Sequence, residues 1–189
     1  DRESMGADGV KVYAMPRMRE MLEKNAPWSQ LVSLRNITLE TLADRKPTKI
    51  AERISVEPFL VPHRDEFSET VGFRIVANGK SLVFIPDIDK WQKWTQKLDE
   101  VVRANDFVLI DGTFYADGEI PRPMSEVPHP FVSETMELLK DLPLSEKRKI
   151  AFIHLNHSNP LIQGNKQTIR DLRAKGFDVA RQGQRFELR

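Results

Sequence analysis

The chain of 189 residues contains no cysteine, which excludes disulfide bridges, zinc–thiolate sites and cysteine nucleophiles. Neither sign of charge predominates, since 29 basic and 28 acidic residues leave a net charge of +1. Nucleic acid is therefore not the expected partner, because it favours clustered basic residues. No apolar run reaches the length of a membrane span and the start does not resemble a signal peptide. We therefore expect a cytoplasmic protein that contacts no membrane.

The composition is that of a globular domain, with 40% hydrophobic and 30% charged residues. The length suits one domain, and residues 1–189 show no convincing boundary or internal repeat. The chain begins with "DRESMGADG", which has no initiator methionine and resembles the middle of a loop. We expect the sequence to be the C-terminal part of a longer chain.

Apolar periodicity predicts strands that first form hairpins and then alternate with helices. The predicted strands cover residues 10–13, 31–39, 50–61, 71–76, 81–85, 107–110, 149–154, 177–180 and 185–188. The predicted helices cover residues 17–24, 90–103, 133–139 and 167–175. This order predicts the α/β class, with a mixed β-sheet packed by helices.

Four predicted strands end in a side chain that can bind a metal. The segments "FLVPH", "SLVFIPD", "FVLID" and "IAFIH" end in His63, Asp87, Asp111 and His154. Polar sites in such folds usually lie in the loops at one edge of the sheet, and zinc, iron and manganese accept imidazole and carboxylate ligands. Taken singly, however, a histidine after a strand is more often structural, and an aspartate often caps a turn or helix. The residues alone leave both interpretations open.

The segments "VPHRDEFSETVGFRI", "SLVFIPDIDKW", "DFVLIDGTFY" and "FIHLNHSNP" resemble, in this order, metallo-β-lactamase-fold proteins. They are most similar to the branch of pyrroloquinoline quinone (PQQ) synthesis protein B, close to tRNase Z and phosphodiesterase relatives. The segment "VYAMPRMREMLEKN" resembles that branch too. The resemblance covers nearly the whole chain and implies a metallo-β-lactamase-like αββα sandwich.

The resemblance also implies a role for each site residue. His63 and His154 match metal-ligating histidines, and Asp87 matches the carboxylate that bridges two metals. Asp111 and His129, in "LIDGT" and "VPHPFVSE", match a carboxylate–histidine dyad beside one or two divalent metal ions, zinc or iron. Asp111 would orient His129, which could then donate a proton to a leaving group or hold an oxyanion.

The sequence departs from the family pattern in one respect. It contains no His-x-His-x-Asp-His cluster, the family's first metal motif, and His157 has no counterpart among the family's ligands. Three candidate ligands are too few for a closed binuclear site. We expect the cluster and the first strands of the fold to lie upstream of Asp1 in the parent chain, and the fragment alone to be inactive.

The sequence is compatible with three functions. The first is a metal-dependent hydrolase or oxygenase similar to PQQ synthesis protein B, acting on a small molecule or peptide. The second is a hydrolase similar to tRNase Z and the phosphodiesterases. The third is a fragment or pseudo-enzyme without catalytic activity that serves as a binding module. The sequence leaves open whether the protein forms a homodimer.

Overall fold

The computed structural model describes residues 6–189. Residues 1–5, which begin the stretch "DRESMGADG" interpreted above as part of a loop, lie outside the described residues. None of the helices between residues 6 and 189 has the length and apolar character needed to span a bilayer.

The N-terminal part forms a small β-α-α-β unit. Strand β1 (Val10–Ala14) is followed by helices α1 (Pro16–Lys24) and α2 (Trp28–Ser33) and by strand β2 (Ile37–Thr41). The two strands pair in parallel. Pro16 stands at the first turn of α1, where its missing N–H costs no helical hydrogen bond.

The remaining strands form one seven-stranded sheet, in which spatial order follows chain order. They are β3 (Thr48–Ala51), β4 (Ile54–Leu60), β5 (Val71–Ala77), β6 (Lys80–Ile85), β7 (Phe107–Asp111), β8 (Ile150–Ile153) and β9 (Asp178–Val179). Strands β3 to β6 pair antiparallel, and β6 to β9 pair in parallel. The mixed sheet and its helices confirm the predicted α/β class.

The helices that accompany the sheet are short. They are α3 (Leu98–Arg103), α4 (Val132–Leu138), α5 (Leu144–Lys147) and α6 (Lys166–Ala174), together with 3-10 turns at Trp91–Lys93 and Met124–Glu126. The main core lies between their apolar faces and the central strands. In β7, Val108 and Ile110 are fully buried and Leu109 nearly so, as expected for a parallel strand covered on both sides.

Two of the predicted strands were wrong in their extent. Residues 28–33 form α2 rather than part of a strand over 31–39, because Trp28, Leu31 and Val32 have the i, i+3, i+4 spacing of a helix face. Residues 50–61 are not one strand, since a turn at residues 52–53 divides them into the β3–β4 hairpin.

The predicted helix over residues 90–103 was also wrong in its first half. Only Leu98–Arg103 is α-helical, and the preceding segment holds a single 3-10 turn at Trp91–Lys93 and is otherwise irregular. Its two tryptophans are tied to different elements, because the indole N–H of Trp91 donates to Thr135 Oγ1 and that of Trp94 to the carbonyl of Leu60. Residues 185–188, predicted as a strand, have no strand structure.

The topology brings four strand ends to one edge of the sheet. Strands β6, β7 and β8 are parallel, and β4 runs in the same direction because it is separated from β6 by the single antiparallel strand β5. The segments that follow β4, β6, β7 and β8 therefore leave the sheet at the same edge. These segments, together with the last residue of β7, contain the predicted site residues.

Candidate metal centre

The predicted site residues lie together at this edge. Asp87, Asp111, His129 and His154 each offer one ligand atom, and these atoms all lie within 4.8 Å of one another. His63 adjoins the group, with its Nε2 atom 3.0 Å from Asp87 Oδ1. The ring of His129 neighbours both of the other imidazoles, with its centroid 5.3 Å from that of His63 and 6.0 Å from that of His154.

Asp111 is the most deeply buried member of the group, with no solvent-exposed surface. Its Oδ1 atom accepts hydrogen bonds from the Thr113 backbone N–H and hydroxyl, at 2.8 and 2.7 Å. Its Oδ2 atom accepts from the Ile88 N–H at 3.2 Å and lies 2.8 Å from His129 Nδ1. A carboxylate has about four acceptor sites, so these contacts leave no free lone pair for a metal. The geometry favours an orienting role for Asp111 over a ligand role.

His129 is held by this carboxylate from the loop that precedes α4. Its Nδ1 atom is 2.8 Å from Asp111 Oδ2 and 3.4 Å from Asp87 Oδ1. Because an ionised carboxylate only accepts hydrogen bonds, the network assigns the proton of His129 to Nδ1. In the neutral ring, Nε2 then carries no proton and takes no part in the contact with Asp111. The ring packs edge-on against Phe114, and the next two residues, Pro130 and Phe131, are buried. These contacts fix the position of the imidazole.

His63 and Asp87 approach each other without forming a hydrogen bond. Their Nε2 and Oδ1 atoms are 3.0 Å apart, yet Asp87 Oδ1 is a buried atom with no hydrogen-bond partner within the described residues. The contact is close but its alignment is poor. A buried acceptor left unpaired costs about 1–3 kcal/mol, whereas a carboxylate oxygen that binds a cation needs no donor. The donor set therefore fits a divalent metal ion.

His154 takes up an unusual backbone conformation where β8 ends. Its φ is +60°, in the left-handed region that residues other than glycine rarely adopt. Its Nδ1 atom lies 2.9 Å from Thr113 Oγ1. The turn that follows is fixed by the fully buried Asn159, whose side-chain NH2 donates to the Gly112 carbonyl at 2.7 Å. His157 is exposed and is not a member of the cluster.

The segment that contains His63 is anchored on the N-terminal unit. Both carboxylate oxygens of Glu69 lie 3.1 Å from the backbone N–H of Arg17, in the first turn of α1. The Arg17 guanidinium in turn donates to the carbonyl of Glu66 at 2.7 Å. The N-cap of α1, Met15, supplies no side-chain bond, so Glu69 acts as the cap from 52 residues away.

Sequence reasoning missed Thr113 and the Arg17–Glu69 contact. The only local signal for Thr113 was its position two residues after Asp111, at which a hydroxyl can hydrogen-bond the preceding carboxylate. Nothing in the spacing of Arg17 and Glu69 indicated their contact. Asn159 fixes the turn after β8 through its own side chain, as asparagine side chains commonly do in turns.

A family model described as "Beta-lactamase superfamily domain" matches residues 2–155. Coenzyme PQQ synthesis protein B of Gluconobacter oxydans (strain 621H) is 29% identical over 126 residues, a match that covers 64% of this chain and 40% of the relative. The chain thus spans about two fifths of the length of this curated relative.

Two solved structures share the fold. The Zn(2+)-bound PqqB from Methylobacterium extorquens superposes with a TM-score of 0.74 at 22% identity, over 91% of this chain and 62% of that one. A diphosphatase from the PhnP family superposes with a TM-score of 0.60 at 18% identity, over 100% of this chain and 63% of that one. These superpositions confirm the predicted metallo-β-lactamase-like fold.

Proposed function

Because the chain belongs to the beta-lactamase superfamily, we propose that it is a metalloenzyme in which His63, Asp87 and His154 bind a divalent metal ion. The observation that carries this proposal is the buried Asp87 Oδ1 atom, which lies 3.0 Å from His63 Nε2 and 3.4 Å from His129 Nδ1 and lacks a hydrogen bond within residues 6–189. Asp111 is left out of the ligand set because its lone pairs are taken by hydrogen bonds.

Three protein ligands leave coordination positions open for water or substrate, as is usual in catalytic sites. A metal ion held by these residues would act as a Lewis acid, lowering the pKa of bound water and polarising a substrate oxygen. Two imidazoles and one carboxylate suit zinc, and they are also the donor set of mononuclear iron oxygenases. The donor set therefore supports hydrolysis and oxygen chemistry alike.

The Asp111–His129 pair provides the acid–base chemistry in this proposal. Asp111 Oδ2 lies 2.8 Å from His129 Nδ1 and holds the proton on that nitrogen. Nε2 is therefore the nitrogen that exchanges a proton with the substrate. The buried carboxylate also stabilises the imidazolium once His129 is protonated. The pair thus suits donation of a proton to a leaving oxygen, a step that phosphodiester hydrolysis shares with other hydrolytic reactions.

The first candidate for the reaction is metal-dependent chemistry similar to that of PQQ synthesis protein B, on a small molecule or a peptide. Its support is the sequence similarity to the Gluconobacter relative. Phosphodiester hydrolysis is the second candidate, supported by the dyad's suitability for protonating an alkoxide. A binding module without catalysis is the third interpretation, and metal analysis separates it from the other two.

The experiment measures metal content by mass spectrometry for the wild-type chain and four alanine variants. Wild type is expected to hold about one divalent ion per chain, and His63→Ala and His154→Ala to lose most of it, because each removes one of three ligands. His129→Ala should retain the metal and, in the complete gene product, slow turnover by about 10²–10⁴-fold.

The exposed His157 provides the matched control, since His157→Ala should leave metal content unchanged. Equal metal loss in His129→Ala and His154→Ala would contradict the separate roles. A wild-type chain that binds no zinc or iron would instead support the binding module.

A further inference from the structure

The Thr113 hydroxyl bridges Asp111 and His154. Its Oγ1 atom lies 2.7 Å from Asp111 Oδ1 and 2.9 Å from His154 Nδ1. Thr113 is buried, and its own carbonyl accepts the Asn156 N–H at 3.0 Å, so it joins the segments that follow β7 and β8. Since its β-branched side chain has few accessible rotamers, the hydroxyl is held in place between the two groups.

A hydroxyl has one hydrogen, so only two arrangements of this bridge exist. In the first, Thr113 donates to Asp111 and accepts from the Nδ1–H of His154. In the second, Thr113 donates to a bare Nδ1 and its bond to Asp111 is lost. A hydrogen bond to an ionised carboxylate is roughly twice as strong as one between neutral groups, so the first arrangement has the lower free energy.

We infer that Thr113 is a positioning residue that fixes His154 in the tautomer with its proton on Nδ1 and a bare lone pair on Nε2. Asp111 then sets the tautomer of two histidines, of His129 through a direct contact and of His154 through Thr113. The tautomer of His154 follows from the hydrogen-bond geometry and from the charge of Asp111, without reference to a metal. Its consequence, that Nε2 is prepared to bind a metal, rests on the proposed function.

The tautomer can be measured without any substitution at Thr113. In metal-free wild-type chain labelled with ¹⁵N-histidine, long-range ¹H–¹⁵N correlation spectra above the ordinary imidazole pKa distinguish the two neutral tautomers. The His154 signals are assigned by their absence from His154→Gln. The Nδ1–H pattern is expected, and the Nε2–H pattern would overturn the inference.

Two variants test the hydroxyl itself. Thr113→Val keeps the branched shape without the hydroxyl, so we expect the Nδ1–H preference of His154 to be lost and zinc affinity to fall about 10–100-fold. Thr113→Ser retains the hydroxyl and should keep both the tautomer and the affinity close to wild type. Circular dichroism verifies that both variants fold.

The outcomes separate this inference from the proposed function. If a folded Thr113→Val variant shows the same Nδ1–H pattern for His154 as the wild-type chain, the role inferred for Thr113 is wrong. If the tautomer changes in Thr113→Val while zinc affinity is unaffected in both Thr113→Val and His154→Gln, the role of Thr113 stands and the ligand assignment of His154 fails.

Discussion

At the scale of single residues, the site is organised around one carboxylate. Asp111 is the last residue of β7 and accepts from two backbone N–H groups, one hydroxyl and one imidazole. Since its lone pairs all accept hydrogen bonds, replacing one of its oxygens by a donor should affect stability more than a change in side-chain volume. Asparagine tests this, because it has nearly the shape of aspartate but carries an NH2 donor and no charge.

Asp111→Asn is expected to lower the free energy of unfolding by about 1–3 kcal/mol, because the new NH2 group must lie against a donor N–H. Urea unfolding at pH 7 measures the change. Asp65→Asn, at an exposed position in the segment after His63, is the matched control and should be nearly neutral. An equal effect of the two substitutions would show that the buried network does not contribute to stability.

Close approach of β7 and β8 requires a glycine beside this carboxylate. A Cβ atom on Gly112 would lie 2.8 Å from Phe152 Cβ and 3.2 Å from the Ile153 carbonyl. Cβ atoms essentially never lie within 3.0 Å of another heavy atom, so the first of these contacts would force one of the two strands to shift. The glycine therefore allows the ends of β7 and β8, and with them Asp111 and His154, to lie side by side.

At the scale of secondary-structure elements, the small N-terminal unit supports the segment that contains His63. Glu69 caps α1 through the Arg17 N–H, and Arg17 reaches back to the Glu66 carbonyl. The contact is reciprocal, since the helix loses a cap and the segment loses an anchor if either partner is removed.

Glu69→Ala is expected to cost about 0.5–2 kcal/mol, the usual effect of losing a helix cap, and to speed amide exchange in both α1 and residues 63–70. Hydrogen exchange with mass spectrometry measures the second effect. Glu66→Ala is the control, because Arg17 uses only the main-chain carbonyl of Glu66. Faster exchange confined to residues 63–70 would contradict the reciprocal contact.

An ion pair joins the β5–β6 hairpin to the start of β7. Asp106 accepts hydrogen bonds from Lys80 Nζ at 2.8 Å and from the Ser81 N–H at 2.9 Å. The hydrogen bond from Lys80, followed by that from Ser81, lowers the pKa of Asp106 below its ordinary value of 3.8. Because the folded-state pKa is the lower one, the stabilisation is fully present above the ordinary value and is lost as pH falls through the lowered one.

Asp106→Asn should therefore lower the Tm at pH 7, and its difference from wild type should shrink as pH drops below 3.8. Thermal melts followed by circular dichroism across this range provide the measurement. Asp141→Asn, an exposed carboxylate outside this strand pair, should show no such trend. A difference that persists unchanged in strong acid would assign the effect of Asp106→Asn to something other than charge.

At the scale of the whole molecule, the proposed ligands come from residues as far apart as His63 and His154, and one sheet brings them together. The proposed site therefore exists only in the folded chain, and a metal that binds there stabilises folding by mass action. Zinc at about 100 times its Kd should stabilise the fold by about 2.7 kcal/mol, or raise the Tm by about 5–10 °C. Differential scanning calorimetry with and without a chelator measures the shift, which should be absent in His154→Ala and present in His157→Ala.

The meeting of the site residues at the ends of the strands was predictable from the sequence, because apolar strands that end in His63, Asp87, Asp111 and His154 form a local pattern. The break at residues 52–53 was not, because the alternation continues through the turn with no glycine or proline to mark it. The irregular segment before α3 was also missed, since its tryptophans bond to Thr135 and Leu60, which are distant in sequence. Sequence periodicity reports local spacing, whereas Thr113 and Glu69 act through contacts that only the assembled sheet creates.

The site segments and the hairpin turns lie at opposite ends of the strands, and this separation has a practical use. The site segments leave one edge of the sheet, so the β3–β4 turn at residues 52–53 and the β5–β6 turn at Asn78–Gly79 lie at the opposite edge. The first of these turns is exposed. A fluorescent label or affinity tag inserted at residues 52–53 would be separated from the histidines by the length of the β4 strand, giving an attachment point for immobilised or single-molecule assays.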